Sequence, residues 1–430
     1  MSGKPLRVLV LAYYFPPMGL SGVQRTAGLV RYLPHAGWEP VVLTVAPGSY
    51  YAFDQTLVEP IEAAGIPVIR TPSNDPLHLP GMPRKVRFTE RKRRLLAMLN
   101  QALYIPDNKI GWRKFAIPEG LRLIKQYGID LIFSTAPPYS AHLIGLALSK
   151  QTGLPLVTDF RDPWLENPRH TYITPYHYRK HRQLERQVLT YSDAITVVNR
   201  VLQSWMIKKL SDVMAFNRVR VIPHGYLAED WHRPPTSSKN SEHLVFLYAG
   251  SFYHAQKPDY FLRALRSVFD RYPHWQSFIR AHFVGTLPPT FNQKVAQWHL
   301  HDSVIASGYL SYRDTIQAIQ SADVLWLTVG HQRGEEVLSL SKTGMYIGSG
   351  KPILALVPDG AAKDILNAYR ATYFADPENV QQIADQIIQV VHDWQKGQLK
   401  TPNPAIIEQY EMRRIAMELA RVFGEQLYVA

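Results

Sequence analysis

The chain has 430 residues, 46% hydrophobic and 19% charged, enough apolar side chain for two large cores and too much for a mostly disordered polymer. Its 48 Lys and Arg outnumber its 35 Asp and Glu, and the resulting +13 favours anionic partners such as phosphorylated metabolites, nucleic acid or an acidic membrane surface. There is no cysteine, which excludes disulfides, thiolate zinc sites, iron–sulfur clusters and a cysteine nucleophile.

From the N-terminus, residues 6–14 (LRVLVLAYY) form an apolar run with no period of two, which suits a parallel strand covered on both faces. Lys4 and Arg7 before it imitate a signal peptide, but the apolar stretch stops at Pro16-Pro17 without a small-residue cleavage pattern, so a strand is expected. A glycine turn and a helix over about 23–36 come next. Strands are expected over 39–45, 66–72, 129–135, 154–160 and 194–198, with helices between the later ones. Residues 212–242 break the pattern: RVRVIPHGY (218–226) ends in a turn, and RPPTSSKNSEH (233–243) has the composition of a linker. A second series then places strands at 244–250, 278–285, 303–310, 323–329 and 352–357. Its helices fall at about 258–271, 311–321, 341–349 and 361–369, and the end of the chain, about 377–395 and 403–427, reads as long helices. Strand–helix alternation predicts an α/β protein with two doubly wound parallel sheets. The expected parts are a first domain over 1–212, a second over 213–402, and a last helix over 403–430 that returns to the first. Ligands of such sheets bind outside the carboxyl ends of the strands, which two domains can present to each other across a cleft. No window approaches 18 uninterrupted apolar residues, so no spanning helix is expected.

The charge is uneven. Residues 1–200 hold 25 Lys and Arg against 14 Asp and Glu, a net +11, whereas residues 201–430 hold 23 against 21, a net +2. Arg84, Lys85, Arg87, Arg91, Lys92, Arg93 and Arg94, with Glu90 the sole acid among them, concentrate +6 in eleven residues. Lys109, Arg113 and Lys114 follow, and Arg179, Lys180, Arg182 and Arg186 form a second cluster. Phe88, Leu95, Leu99 and Leu103 repeat at roughly helical spacing through the first cluster. A basic helix with such a face over 84–104 either lies in an anionic membrane surface or packs on its own domain. Nucleic acid is disfavoured because no zinc-finger or RNA-recognition signature accompanies the bases.

Most short motifs fail on inspection. GSGKP (348–352) lacks the first glycine of a phosphate loop, since Met345 stands there, and Pro352 replaces its Ser or Thr. Ser339 and Lys342 have Ser-x-x-Lys spacing without the companion motifs. His177 and His181 share a helical face but lack a third ligand, so a surface pair is expected and no metal site. Two glycine turns carry more. Gly19-Leu20-Ser21-Gly22 links the first strand to its helix, and Gly250-Ser251 does the same in the second domain, with Lys257 nearby. Glycine lets a backbone approach a phosphate whose charge a lysine then offsets.

Taken in order, YYFPPMGLSGVQR (13–25), YLPHAGWEPVVLT (32–44), DLIFSTAPPYSAHLIGLAL (130–148), DFRDPW (159–164), VIPHGY (221–226), YAGSFY (248–253), SGYLSYRD (307–314) and SGKPILA (349–355) resemble the family 4 (group 1) retaining glycosyltransferases of the GT-B fold, of the bacterial envelope-polysaccharide type. The resemblance spans nearly the whole chain. It implies two Rossmann-like domains facing across a cleft, the first for the acceptor and the second for a nucleotide sugar. It also implies a hexosyltransferase-like transfer with retained anomeric configuration, no metal, and no cofactor beyond the nucleotide-sugar co-substrate. The acceptor would be a glycan or lipid-linked, and the setting the cytoplasm or the inner face of the cell membrane.

By the same resemblance, Gly19, Gly22, Gly250, Ser251, Lys257, Gly308, Tyr309, Glu335, Glu336 and Lys342 are donor-binding candidates. Thr135, Arg161 and Asp162 fall on the acceptor side, and Asp162, His142 and Lys257 are the catalytic candidates. The chain departs from the family where Ser251 replaces an arginine, where Met345 replaces a ribose-binding glutamate, with Glu335 and Glu336 as nearby substitutes, and where Thr135 replaces a cleft histidine. These departures keep open a non-catalytic GT-B-like protein of the same pathway, and a sugar-nucleotide epimerase is a further alternative.

Overall fold

The computed structural model describes residues 5–19, 21–48, 52–76, 100–168, 170–210, 216–231, 242–252 and 256–427. The basic run at 84–94 and nearly all of the 233–243 linker lie outside them. The chain divides into two compact units: Met1–Pro223 with Met412–Ala430, and His224–Glu411.

Unit 1 follows the order β1 (Leu6–Leu11), α1 (Ser21–Tyr32), β2 (Trp38–Val45), α2 (Glu59–Ala63), β3 (Val68–Thr71), α3 (Arg113–Tyr127), β4 (Leu131–Ala136), α4 (Ser140–Thr152), β5 (Leu156–Phe160), α5 (Pro175–Tyr191), β6 (Ala194–Val197), α6 (Arg200–Leu210) and β7 (Val219–Val221). The strands form one parallel sheet in the order β3-β2-β1-β4-β5-β6-β7. Val8 to Leu11 are wholly buried, as expected of a strand sandwiched between helix layers. β1 ends three residues earlier than its apolar run because Tyr13 leaves the ladder. Its hydroxyl donates to Asp75 at 3.0 Å, and its ring meets Trp112 edge-on at 5.4 Å. Lys109 Nζ also reaches Asp75, at 2.5 Å, so this lysine is a buried ion-pair partner and not part of a free basic surface.

Unit 2 runs β8 (Leu244–Ala249), α7 (Asp259–Arg271), β9 (Ile279–Val284), α8 (Phe291–Gln297), β10 (Val304–Gly308), α9 (Tyr312–Ser321), β11 (Val324–Thr328), α10 (Lys342–Gly348), β12 (Ile353–Leu356), α11 (Ala361–Tyr369), β13 (Thr372–Ala375), α12 (Val380–Gln395) and α13 (Pro404–Gln409). Its parallel sheet has the order β10-β9-β8-β11-β12-β13. One face carries Phe246, Tyr248, Phe261, Phe283 and Trp326, with the Phe261 and Trp326 rings stacked at 4.3 Å. The other packs Leu247, Leu325, Ile353 and Ala355 against Met345, Tyr346, Ile347 and Leu366.

The helical stretch at 403–427 is broken. α13 stops at Gln409 and α14 (Met412–Leu427) starts three residues later. At the break, Tyr226 N donates to Tyr410 O at 3.0 Å and Tyr226 bridges to Glu411, so backbone groups there turn to a neighbouring segment. α14 belongs to unit 1, where Phe423 meets Trp38 at 5.2 Å and Phe133 at 5.3 Å.

Candidate functional site

Each sheet reverses its strand order once, between β1 and β4 in unit 1 and between β8 and β11 in unit 2. At such a point the connections leave toward opposite faces and a crevice opens at the carboxyl ends of the strands. A cation stands at each of the two points, in different circumstances.

In unit 1 the cation is Arg161, directly after β5 and 9% exposed. Its Nη1 donates to Gly22 O at 2.6 Å, Nε to Ala136 O at 3.1 Å and Nη2 to Pro137 O at 2.5 Å. A Cβ on Gly22 would lie 2.7 Å from Nη1, so a side chain at residue 22 would displace the guanidinium. Burial lowers the pKa of Arg161, while Asp159 and Asp162 oppose that shift. Gly22 and Arg161, predicted for different substrates, are therefore direct neighbours. Gly19 anchors the same turn through its N–H to Ala52 O at 3.0 Å. Asp162 is half-buried and its carboxylate makes no hydrogen bond among the described residues.

Under this turn lies a pair that motif reasoning missed. Arg25 grips Asp159 in two places, Nη2 to Oδ1 at 2.8 Å and Nε to Oδ2 at 3.2 Å. It also donates to Pro223 O and Ile222 O. Thr135 and Thr196 hydroxyls complete the carboxylate, each at 2.8 Å. Burial pushes the Asp159 carboxyl up, but the charge and hydrogen bonds of Arg25 and the two hydroxyls outweigh it and hold the group below its ordinary value. The available signal was an acid inside the apolar run LPLVTDF (154–160). Thr135, expected on the acceptor side, is 3% exposed and committed to this network.

His142 does not fit the role of a group meeting an acceptor. It is wholly buried on α4, its Nδ1 2.8 Å from Ser134 Oγ and its ring against Phe160 at 4.4 Å. Burial takes its pKa down to about 3, so it is neutral throughout the physiological range. His181, expected at the surface, is also buried: its Nδ1 accepts from Trp164 Nε1 at 3.1 Å, because Trp164 and Tyr172 close over that face of α5. His177 instead meets Ala102 O through Nε2 at 3.1 Å.

In unit 2 the crevice wall is made of backbone. Gly250 follows β8 with φ +137°, Gly285 follows β9 with φ +125°, and Gly308 ends β10. Gly250 N donates to Val284 O at 2.8 Å and Gly285 N to Gly308 O at 2.7 Å, so the three lie on adjacent strands. A Cβ on Gly285 would stand 2.2 Å from Gly250 O, which excludes any side chain there. Lys342, the first residue of α10, is the cation. It is 8% exposed, with Nζ 3.6 Å above the Tyr248 ring and 2.8 Å from where a Gly250 Cβ would sit. Among the described residues that nitrogen has no hydrogen-bond partner, and neither has the buried hydroxyl of the next residue, Thr343. Burial lowers the pKa of Lys342 well below the ordinary lysine value.

The other donor candidates divide. Ser251 is half-buried, with its carbonyl accepting from Tyr248 Oη at 3.2 Å, and Gly308 and Tyr309 are half-buried at the end of β10. Lys257 is exposed and makes no hydrogen bond or ion pair among the described residues. Glu335 is buried and takes Gly330 N–H at 2.6 Å, and Glu336 takes Gly334 N–H at 2.6 Å, so both hold their own loop. Met345 packs in the apolar core.

The predicted membrane-facing residues 84–94 are not described. Leu103, Ile173, Tyr176 and Tyr178 are exposed, and Arg179, Lys180, Arg182 and Arg186 on α5 are exposed near them in sequence. Thr171 N bonds Gln101 Oε1 at 3.0 Å, joining residues 100–104 to the start of α5. No helix among the described residues is long and apolar enough to cross a membrane, and no group of three or more metal-ligating acids or histidines occurs among them.

Two domain models match the chain: a glycosyl transferase 4-like domain over residues 21–225 and a glycosyl transferases group 1 domain over residues 230–404. No curated protein matches it by sequence. Among solved structures it is similar to a glycosyltransferase from Rickettsia africae, with 14% identity, a TM-score of 0.66 and 100% of both chains covered. It is also similar to a sucrose-phosphate synthase from Thermosynechococcus elongatus, with 13% identity, a TM-score of 0.66, and 99% and 100% covered. Anabaena Alr3699/HepE, solved in complex with UDP and glucose, matches at 14% identity and a TM-score of 0.65, with 98% and 100% covered. With one glycosyltransferase domain model on each of its two Rossmann-like units, the chain belongs to the glycosyltransferases of the GT-B fold.

Proposed function

We propose that the protein transfers a sugar from a nucleotide-sugar donor to a glycan or lipid-linked acceptor, in the manner of family 4 enzymes of envelope-polysaccharide assembly. The observation that carries this reading is the glycine wall of unit 2, Gly250, Gly285 and Gly308 on adjacent strand ends with Lys342 beside it, inside the segment matched by the group 1 model. A side-chain-free wall lets backbone amides approach a diphosphate, and lysine offsets its charge. Tyr309, Ser251 and Lys257 complete the donor side, and Asp162 is the carboxylate proposed for the acceptor side.

In the transfer, the anomeric carbon forms a bond to the acceptor hydroxyl oxygen. The bond to the diphosphate oxygen breaks with its electron pair, and the hydroxyl proton leaves to a base. The departing charge is met by lysine and amides, without a metal, and the anomeric configuration is retained as the family resemblance implies. The +11 of the first 200 residues and the exposed Leu103, Tyr176, Tyr178 and α5 bases support an acceptor held at an anionic membrane surface, with the protein peripheral on its cytoplasmic face.

The test is a panel of UDP-, GDP- and ADP-sugars with membrane extract as acceptor and cosedimentation on anionic vesicles. The expected results are release of one nucleoside diphosphate and salt-sensitive vesicle binding. Nucleotide-sugar binding without turnover would make the protein a non-catalytic member of the pathway, and conversion of the donor sugar without acceptor would make it an epimerase.

A further inference from the structure

The glycine turn that follows β1 has two unlike neighbours. On one side, residues 17–19 pair with residues 52–54 as a short antiparallel ribbon. Met18 bridges to Phe53, Gly19 N donates to Ala52 O at 3.0 Å, and Asp54 N donates to Pro17 O at 2.8 Å. Side chains alternate along such a ribbon, so Ala52 and Asp54 turn inward and are buried, while Phe53 projects from the opposite face and is 46% exposed. Residues opposed across a bridge share a face, which sets the buried Met18 beside the Phe53 side chain. The Asp54 carboxylate accepts from Thr56 N at 3.0 Å and Thr56 Oγ1 at 2.5 Å. The aromatic ring is therefore held outward by backbone bonds before and after it.

On the other side of the turn, Gly22 O accepts from Arg161 Nη1 at 2.6 Å, and Asp162 comes next with a half-buried carboxylate that makes no hydrogen bond among the described residues. One turn is thus flanked by an exposed aromatic face and by a carboxylate. A pyranose has the two matching surfaces: a face of C–H groups, which an aromatic ring covers, and a rim of hydroxyls, from which a carboxylate accepts hydrogen bonds.

We propose that Phe53 is a stacking platform for the acceptor's sugar ring. This rests on the glycosyl-transfer reading above and adds to it a residue that recognises the acceptor. The flat face is the operative property. Leucine keeps much of the apolar area without it, and tryptophan enlarges it.

The experiment compares wild type with Phe53→Ala, Phe53→Leu and Phe53→Trp. Saturation-transfer NMR uses free glucose, galactose, mannose and N-acetylglucosamine as probes. In parallel, nucleoside diphosphate release is followed against increasing membrane extract with the nucleotide sugar that wild type accepts. Expected are saturation transfer to a sugar in wild type and Phe53→Trp, its loss in Phe53→Ala, and a rise of about tenfold in the half-saturating extract for Phe53→Ala. Phe53→Leu should resemble Phe53→Ala. Melting temperatures and calorimetric affinities for UDP, GDP and ADP should match wild type, since the ring is exposed and belongs to unit 1. The rise in half-saturation supports the platform even where free monosaccharides bind too weakly to be seen. Unchanged half-saturation in Phe53→Ala, or Phe53→Leu equal to wild type, overturns the inference and leaves the transfer reading standing. So does loss of anionic-vesicle binding in Phe53→Ala, which makes the ring a lipid contact. Phe53-dependent sugar contact in a protein that releases no nucleoside diphosphate supports the platform and overturns the transfer reading. If wild type neither contacts a sugar nor turns over, both fall.

Discussion

Asp159, inside β5, and Lys342, at the start of α10, are both buried ionisable groups, and their partners separate them. Asp159 is saturated by Arg25, Thr135 and Thr196, which is how a fold disposes of a charge it keeps for architecture. Removing one member of such a pair leaves the other uncompensated, so Arg25→Met is expected to cost unit 1 about 3–5 kcal/mol, read by urea unfolding. An Arg25→Met/Asp159→Leu double variant should recover much of that loss; equal losses in single and double variants would refute the pairing argument. At this scale the sequence was only partly legible. The glycines of both turns and Arg161 could be singled out as candidates because glycine and charge beside a strand end are local signals, and Lys342 by family resemblance alone. Burial is not local. Nothing in residues 130–148 distinguishes a histidine facing a substrate from His142 sealed against Phe160.

At the scale of elements, periodicity located eleven of the thirteen strands among the described residues, because parallel strands buried on both faces produce apolar runs whatever their neighbours, and missed β7 and β13, which are only three and four residues long. The break between α13 and α14 was not visible, since residues 403–427 keep a helical pattern and the interruption depends on Tyr226, a residue distant in the chain. α14 buries Met412, Ile415, Leu419 and Phe423 in unit 1 and brings Met412 against Gly28 of α1, where a Cβ would come within 2.9 Å. Phe423→Ala, which opens a gap beside Trp38 and Phe133, should lower the stability of unit 1 by about 3–5 kcal/mol. A chain ending at Glu411 should lose the unit 1 melting transition and keep that of unit 2. Survival of both transitions in calorimetry would show that the last helix is dispensable.

Over the whole molecule, acid sensitivity follows from three histidines of unit 1, His142 and His181 buried and His170 half-buried. Burial takes His142 to about 3 and both His170 and His181 to about 4, from an ordinary 6.5. Between those limits the unfolded chain binds protons that the folded chain refuses, so stability is full above about pH 6.5 and falls as pH drops toward 4. His142 alone contributes roughly 1.4 kcal/mol per pH unit across that window. The unit 1 transition should therefore move to lower temperature between pH 7 and pH 4.5, and less so in His142→Gln. A transition independent of pH would contradict the burial of these rings. What the sequence by itself determined was the α/β class, the two sheets, and the concentration of charge in the first 200 residues, because apolar runs, turn residues and charge counts are properties of contiguous chain. The tertiary structure alone decided that Arg161 is spent on three carbonyls while Lys342 Nζ rests on the Tyr248 ring and has no hydrogen-bond partner among the described residues. A side chain's availability depends on which distant backbone groups surround it, and only the packed sheets bring those groups together.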